Sequence, residues 1–219
     1  MPELETRARL SCGTSSPAIY EMVAQALLAR GIQGSVVVDI GCGGGQLWRH
    51  IGVRFTRYIG VDGVLYEDLP QEIEFHCHDL DSERVPLPNN TGDVVVAVET
   101  IEHLENPRAF FRELERLTRP GGWLIVTTPN QLSFLSLFTL IFKKRFNAFQ
   151  DVHYPAHITA LLEVDLRRMA TECRLQDVAI EYSHQGRLAL TPRHYPRFLS
   201  KLFPRWCSDN LLLIGRKSD

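Results

Sequence analysis

Short apolar runs alternate with amphipathic stretches along this chain. Ser16-Pro17 offers a capping hydroxyl and then a proline suited to a first helical turn. Ile19, Val23, Ala26 and Leu27 continue at helical spacing to about Arg30, and Gly31 and Gly34 interrupt them. Val36-Val37-Val38-Asp39-Ile40 reads as a buried strand that turns sharply in Gly41-Cys42-Gly43-Gly44-Gly45, after which 46–51 begins a helix. Further apolar runs lie at 58–62, at 73–78 before Asp79-Leu80-Asp81, at 93–99, and at 123–127 before Pro129-Asn130. Between the last two, Asn106-Pro107 starts a helix with Phe110, Phe111, Leu114 and Leu117 on one face, and Pro120-Gly121-Gly122 ends it. An amphipathic helix at 161–173 and strands at 178–182 and 211–215 follow. Strands apolar on both faces, alternating with helices, predict an α/β fold: a largely parallel sheet covered on both sides.

The 219 residues, 44% hydrophobic and 23% charged, suit a single domain over 1–219 with a loose leader at 1–15 and an insertion at 131–158. A net charge of −2 gives no global attraction to nucleic acid, and none is expected as a partner. Cys12, Cys42, Cys77, Cys173 and Cys207 make an odd set without a CxxC pair, which points to free thiols in a reducing compartment. With no apolar signal core and no run of the ~18 residues that span a bilayer, the expected location is cytoplasmic.

The glycine turn follows a strand and offers backbone N–H groups to a small ligand. Alone it is weak evidence, because dinucleotide enzymes carry one too, although here the pattern is GxGGG rather than GxGxxG. Asp62 ends the next strand, about 20 residues on, where a carboxylate can accept from vicinal ribose hydroxyls. Asp79 follows the third strand and can accept from a purine amino group.

With these residues in view, the chain resembles the class I S-adenosylmethionine-dependent methyltransferases. VVVDIGCGGG, YIGVD, HDLD, GDVVVAVETIEHLENP and RPGGWLIVTTPN are similar to that family's five motifs, in order. The resemblance is strong over 16–130 and weaker to 216. It implies a Rossmann-like, seven-stranded, mostly parallel sheet with an antiparallel final strand, and S-adenosyl-L-methionine as cofactor. It also implies that Gly41, Cys42 and Gly43 face the methionine part, with Asp39 supporting that turn through the amino group. Asp62 and Gly63 would meet the ribose, Asp79 and Leu80 the adenine, and Glu99 and Thr100 the reactive methyl.

His103, just after the fourth strand, is the expected catalytic base, since imidazole titrates near neutrality. On a helical turn Glu99, Glu102 and His103 would share one face, and the quinone-biosynthetic O-methyltransferases have a similar ExxEH segment. A divalent-ion site there is an alternative; the expected site contains no metal. His153, Tyr154 and His157 are candidates for the acceptor pocket. The Phe-rich stretch 132–149, with Lys143, Lys144 and Arg145, has three readings: an apolar lid, a peripheral membrane contact or a homodimer contact. Arg193, Arg197, Lys201 and Arg205 recur every four residues as a potential basic stripe. The expected function is methyl transfer to a small-molecule acceptor, apolar or lipid-linked, most simply onto oxygen. The alternatives are an N- or C-methyltransferase of a lipid-linked or glycan substrate and a non-catalytic S-adenosylmethionine-binding protein.

Overall fold

In the computed structural model, which describes residues 13–82 and 84–219, the apolar runs read as strands form one seven-stranded sheet. The strands are β1 (Gly34–Ile40), β2 (Phe55–Asp62), β3 (Ile73–Cys77), β4 (Gly92–Ala97), β5 (Thr118–Pro129), β6 (Gln176–Tyr182) and β7 (Asn210–Arg216). They lie in the order β3-β2-β1-β4-β5-β7-β6. β1 to β5 pair in parallel, and β7 runs antiparallel between β5 and β6. This is the sheet that the resemblance implies, final strand included.

The described helices are α1 (Pro17–Ala29), α2 (Trp48–Ile51), α3 (Pro107–Leu117), α4 (Phe134–Lys143), α5 (Glu163–Glu172) and α6 (Arg197–Leu202). Successive strand side chains point to opposite faces, so the all-apolar strands feed two cores. On one face Val37, Val94, Val96, Ile125 and Ile214 meet Val23, Ala26 and Leu27 of α1 and Ile51 of α2. On the other, Val38, Ile40, Val95, Ala97, Leu124 and Val126 meet the Phe110, Phe111, Leu114 and Leu117 face of α3, with Leu166 and Met169 of α5. Asn106 caps α3 by accepting from the Ala109 N–H at 3.0 Å. Helices on both faces leave only the sheet's ends open to a ligand.

Several local expectations need correction. Ser16 occupies the N-cap of α1 but makes no side-chain cap bond. The helix after the glycine turn begins at Trp48, because the Gly45 N–H first closes a tight turn on the Cys42 carbonyl at 2.9 Å. Pro120-Gly121-Gly122 does not end a helix: α3 stops at Leu117 and these residues lie inside β5. There Gly121 donates to the Lys217 carbonyl at 3.0 Å, and Lys217 donates back to Gly122 at 2.9 Å. α5 begins at Glu163, with the Leu162 N–H held by Asp165 at 3.1 Å. The four-residue basic repeat makes no single stripe, because α6 runs only from Arg197 to Leu202 between Pro196 and Pro204. Most of the expected leader, Cys12 included, lies outside the described residues. Cys42, Cys77, Cys173 and Cys207 are free thiols.

Candidate active site

β1 neighbours both β2 and β4, so the chain reverses its direction of strand addition at β1. Open α/β sheets place ligands in the crevice at such a switch, beyond the carboxyl ends of the strands. A cavity of about 590 Å³ opens there. Its floor is the glycine turn after β1. Gly41 and Cys42 donate to the Val61 carbonyl at 2.7 and 3.2 Å, which locks the turn to β2. Gly41 has φ +80°, and a methyl group on it would overlap the Thr100 side chain. Gly43 has φ +50°, and a methyl group there would overlap the Gly13 carbonyl oxygen. The Gly44 N–H donates to that carbonyl at 3.0 Å. Residues 13–15, expected to be loose, therefore cross the turn and, with Ser16, line the cavity.

Asp39, Asp62 and Glu99 are three of the acids that line this space. Asp62 accepts from the Gly43 N–H at 2.9 Å and the Val64 N–H at 3.2 Å, and burial raises its pKa. Asp39 is buried; its Oδ2 accepts the Tyr58 hydroxyl at 2.7 Å, while Oδ1 has no hydrogen-bond partner. Burial lifts the Asp39 carboxyl to about 7 against the pull of the Tyr58 bond. Glu99 stands in a left-handed backbone conformation, φ +49°. Its oxygens accept Thr127 Oγ1 at 2.9 Å and Asn210 Nδ2 at 2.7 Å, and burial lifts it to about 7. Among the described residues, none of the three forms an ion pair with a basic side chain. A buried acid left without a cation is poised for a cationic ligand.

Beyond Glu99 the chain makes a short 3-10 turn, Ile101–His103, rather than an α-helix. This corrects the shared face expected of Glu99, Glu102 and His103. Glu102 points inward and is fully buried; Oε2 accepts Thr128 Oγ1 at 3.1 Å and Oε1 has no hydrogen-bond partner. Burial, and then the neighbouring Glu99, push its pKa well above the ordinary carboxylate value. His103 lines the cavity, and its Nδ1 lies 2.8 Å from the Ala156 carbonyl oxygen. A carbonyl only accepts, so Nδ1 carries the proton and Nε2 is the basic nitrogen. His157 meets His103 edge-on at 4.7 Å, and His153 stacks on His157 at 5.5 Å. Burial pulls His157 down to about 4. One ligand atom each from Glu102, His103 and His157 lies within 4.8 Å of the other two.

The cavity thus gathers Asp39, Gly41, Cys42, Gly43, Asp62, Gly63, Leu80, Glu99, Thr100 and His103, with His153 and His157. Asp79 is not among them. β3 ends at Cys77, so Asp79 falls in the next turn, where its exposed carboxylate accepts from the Asp81 N–H at 3.0 Å. Asp81 lines the cavity in its place. Tyr154 is exposed and also stands outside. The sequence reading missed the partners of two of these acids: Tyr58, which holds Asp39, and Thr127 and Asn210, which hold Glu99. It also missed Gln185, Arg187 and His194, which wall the far side and carry no spacing signal.

The model of the family described as "Methyltransferase domain" matches residues 18–179. A ubiquinone biosynthesis O-methyltransferase from Chromobacterium violaceum is 29% identical over 111 residues, 46% of this chain and 47% of that protein. A malonyl-[acyl-carrier protein] O-methyltransferase from Serratia marcescens is 28% identical over 187 residues, 83% of this chain and 67% of that protein. The chain spans about half the length of most of the ubiquinone-pathway relatives it matches. A solved SAM-dependent methyltransferase from Archaeoglobus fulgidus superimposes with a TM-score of 0.64 at 18% identity, over 90% of this chain and 94% of that one.

Proposed function

The chain belongs to the methyltransferase-domain family of S-adenosylmethionine-dependent enzymes, and on that premise we propose that it methylates a hydroxyl oxygen of a small molecule, with His103 as the base. S-adenosylmethionine supplies a methyl group on a positively charged sulfur. The residues present fit such a ligand: Asp39, Asp62 and Glu99 bring three acids to one cavity with no basic partner, and Asp39 Oδ1 is an acceptor in want of a donor. In this reading Asp39 and the Gly41-Cys42-Gly43 turn hold the amino-acid end. Asp62 and Gly63 take the ribose hydroxyls, Leu80 and Asp81 border the adenine, and Glu99 and Thr100 flank the methyl.

The observation that carries the oxygen assignment is the 2.8 Å contact of His103 Nδ1 with the Ala156 carbonyl. It fixes the tautomer and leaves Nε2 to receive the acceptor's proton as the oxygen bonds to carbon. His157, kept neutral, adds no positive charge beside the imidazolium that forms. The rest of the chain's task is to align the acceptor and exclude water. Val98, Leu104, Pro129 and Ala148 give the cavity apolar surface, which supports an acceptor with an apolar or lipid-linked body.

The test is product mass spectrometry with methyl-labelled cofactor and a panel of hydroxylated, amino and carbon acceptors. His103→Ala is expected to lower kcat on a hydroxyl acceptor by about 10²–10⁴-fold, the usual range for a lost general base. Undiminished kcat across pH would instead assign a nitrogen or carbon acceptor. Cofactor binding without turnover of any acceptor would favour a binding protein.

A further inference from the structure

Two helices are inside out. In α4, Ser136 and Thr139 are the buried residues, while Phe134, Ile141 and Phe142 are exposed, Phe142 at 69%. Ser136 is 2% exposed, and its hydroxyl is used within the protein, donating to Gln131 Oε1 at 3.3 Å. The spacing 134, 138, 141, 142 is that of one helix face, and Phe138 packs on Phe142 at 4.5 Å. In α6 the same inversion recurs: Ser200 is fully buried, while Phe198 and Leu202 are 68% and 67% exposed. No described residue of 132–158 or 183–206 joins either hydrophobic core. The two segments touch through Phe134, which stacks on Trp206 at 5.5 Å and donates its N–H to the Trp206 carbonyl at 2.9 Å. Their apolar residues therefore make one surface, with the exposed Phe203 and Trp206 between the helices.

Charge decides what covers it. Lys143, Lys144 and Arg145 end α4, and Arg193, Arg197, Lys201 and Arg205 surround α6; all are exposed. Among the described residues Lys143, Lys144, Arg193, Arg197 and Lys201 form no ion pair, whereas Arg145 meets Asp151 and Arg205 meets Glu163. A second copy of this chain would set the same cations against one another across a two-fold axis. An anionic lipid surface buries the aromatic side chains and balances the cations together. The segments also wall the cavity, through Asn147, Ala148 and Gln150 after α4 and His194 before α6. We propose that the joint face of α4 and α6 docks on an anionic membrane surface and presents the acceptor side of the cavity to it. This inference stands whether the methylated atom is oxygen, nitrogen or carbon.

The experiment is co-sedimentation of the full chain with vesicles of phosphatidylcholine alone and with about one-third phosphatidylglycerol. The protein is expected to pellet with the anionic vesicles and to be released by about 0.5 M salt, where screening is short-ranged. Lys143→Glu with Lys144→Glu should weaken this binding at least about tenfold. Ile141→Ser with Phe142→Ser should weaken it similarly. None of these four residues lines the cavity, so S-adenosylmethionine titration checks that each variant is folded. Failure of the parent chain to bind anionic vesicles would overturn the proposal. So would binding indifferent to both double variants, or a concentration-dependent dimer that Ile141→Ser with Phe142→Ser dissolves.

Discussion

Replacing Asp62 with alanine should weaken S-adenosylmethionine binding by about two to three orders of magnitude. The carboxylate sits at the end of β2, held toward the cavity by the Gly43 and Val64 N–H groups at 2.9 and 3.2 Å. In the proposed complex it also accepts from two ribose hydroxyls. A hydrogen bond to a charged group is worth about 1.5–3 kcal/mol, so two amount to roughly 3–6 kcal/mol. Part of this is offset, because burial already raises the pKa of the ligand-free acid and charging it carries a desolvation cost. The lower half of the range corresponds to about 10²–10³ in Kd. The two N–H groups lose their acceptor in the free and bound states alike, so that loss appears as lower thermal stability, about 1–3 kcal/mol, rather than lower affinity. Isothermal titration calorimetry reads the affinity and a circular-dichroism melt reads the fold. A folded Asp62→Ala protein with Kd within threefold of the parent would refute the ribose assignment. Asp62→Asn, which keeps an acceptor but not the charge, should fall between the two.

Gly43→Ala places a methyl group against the Gly13 carbonyl at φ +50°; it should lose about 1–3 kcal/mol in a melt and most cofactor affinity, and full affinity would show that residues 13–16 yield freely. Between pH ~4 and 7 native Asp39 keeps a proton that the unfolded chain has released, so its contribution falls as pH rises through that window; Glu99 acts alike. His157, held near 4, acts with the opposite sign below 6.5. Asp39→Asn should therefore flatten the decline in stability from pH 5 to 7, by at most about 1.4 kcal/mol per pH unit, and parallel slopes would count against a raised Asp39 pKa. Calorimetry of the ligand-free protein with magnesium or zinc should show no heat, because burial and Glu99 both oppose charging Glu102 and its Oε2 already accepts from Thr128; micromolar binding would make Glu102, His103 and His157 a metal centre.

The sheet was legible because its signal is local. Val36-Val37-Val38 and residues 94–98 are apolar at every position, and only a strand covered on both faces needs that. The glycine turn and Asp62 were legible because main-chain geometry restricts what can stand there. Asp79 stands outside the cavity because β3 stops at Cys77, one residue short of the run at 73–78, and its carboxylate accepts from the Asp81 N–H in the turn that follows. The far wall of the cavity was opaque for another reason. Gln185, Arg187 and His194 sit between β6 and β7, and only the antiparallel return of β7 beside β5 brings them over the β1 end. The inverted faces of α4 and α6 were half visible. A run of Leu and Phe is plain, but which side of it turns outward depends on Ser136, Thr139 and Ser200 finding buried places.

The stretch from Gly13 to Ser16 adds nothing to either core, yet the Gly13 carbonyl is fastened to the Gly44 N–H at 3.0 Å across the glycine turn. A ligand leaving past this stretch would have that bond to break, while the sheet need not move. The lifetime of the bound cofactor is therefore adjustable independently of the stability of the fold, through four residues at the threshold of α1.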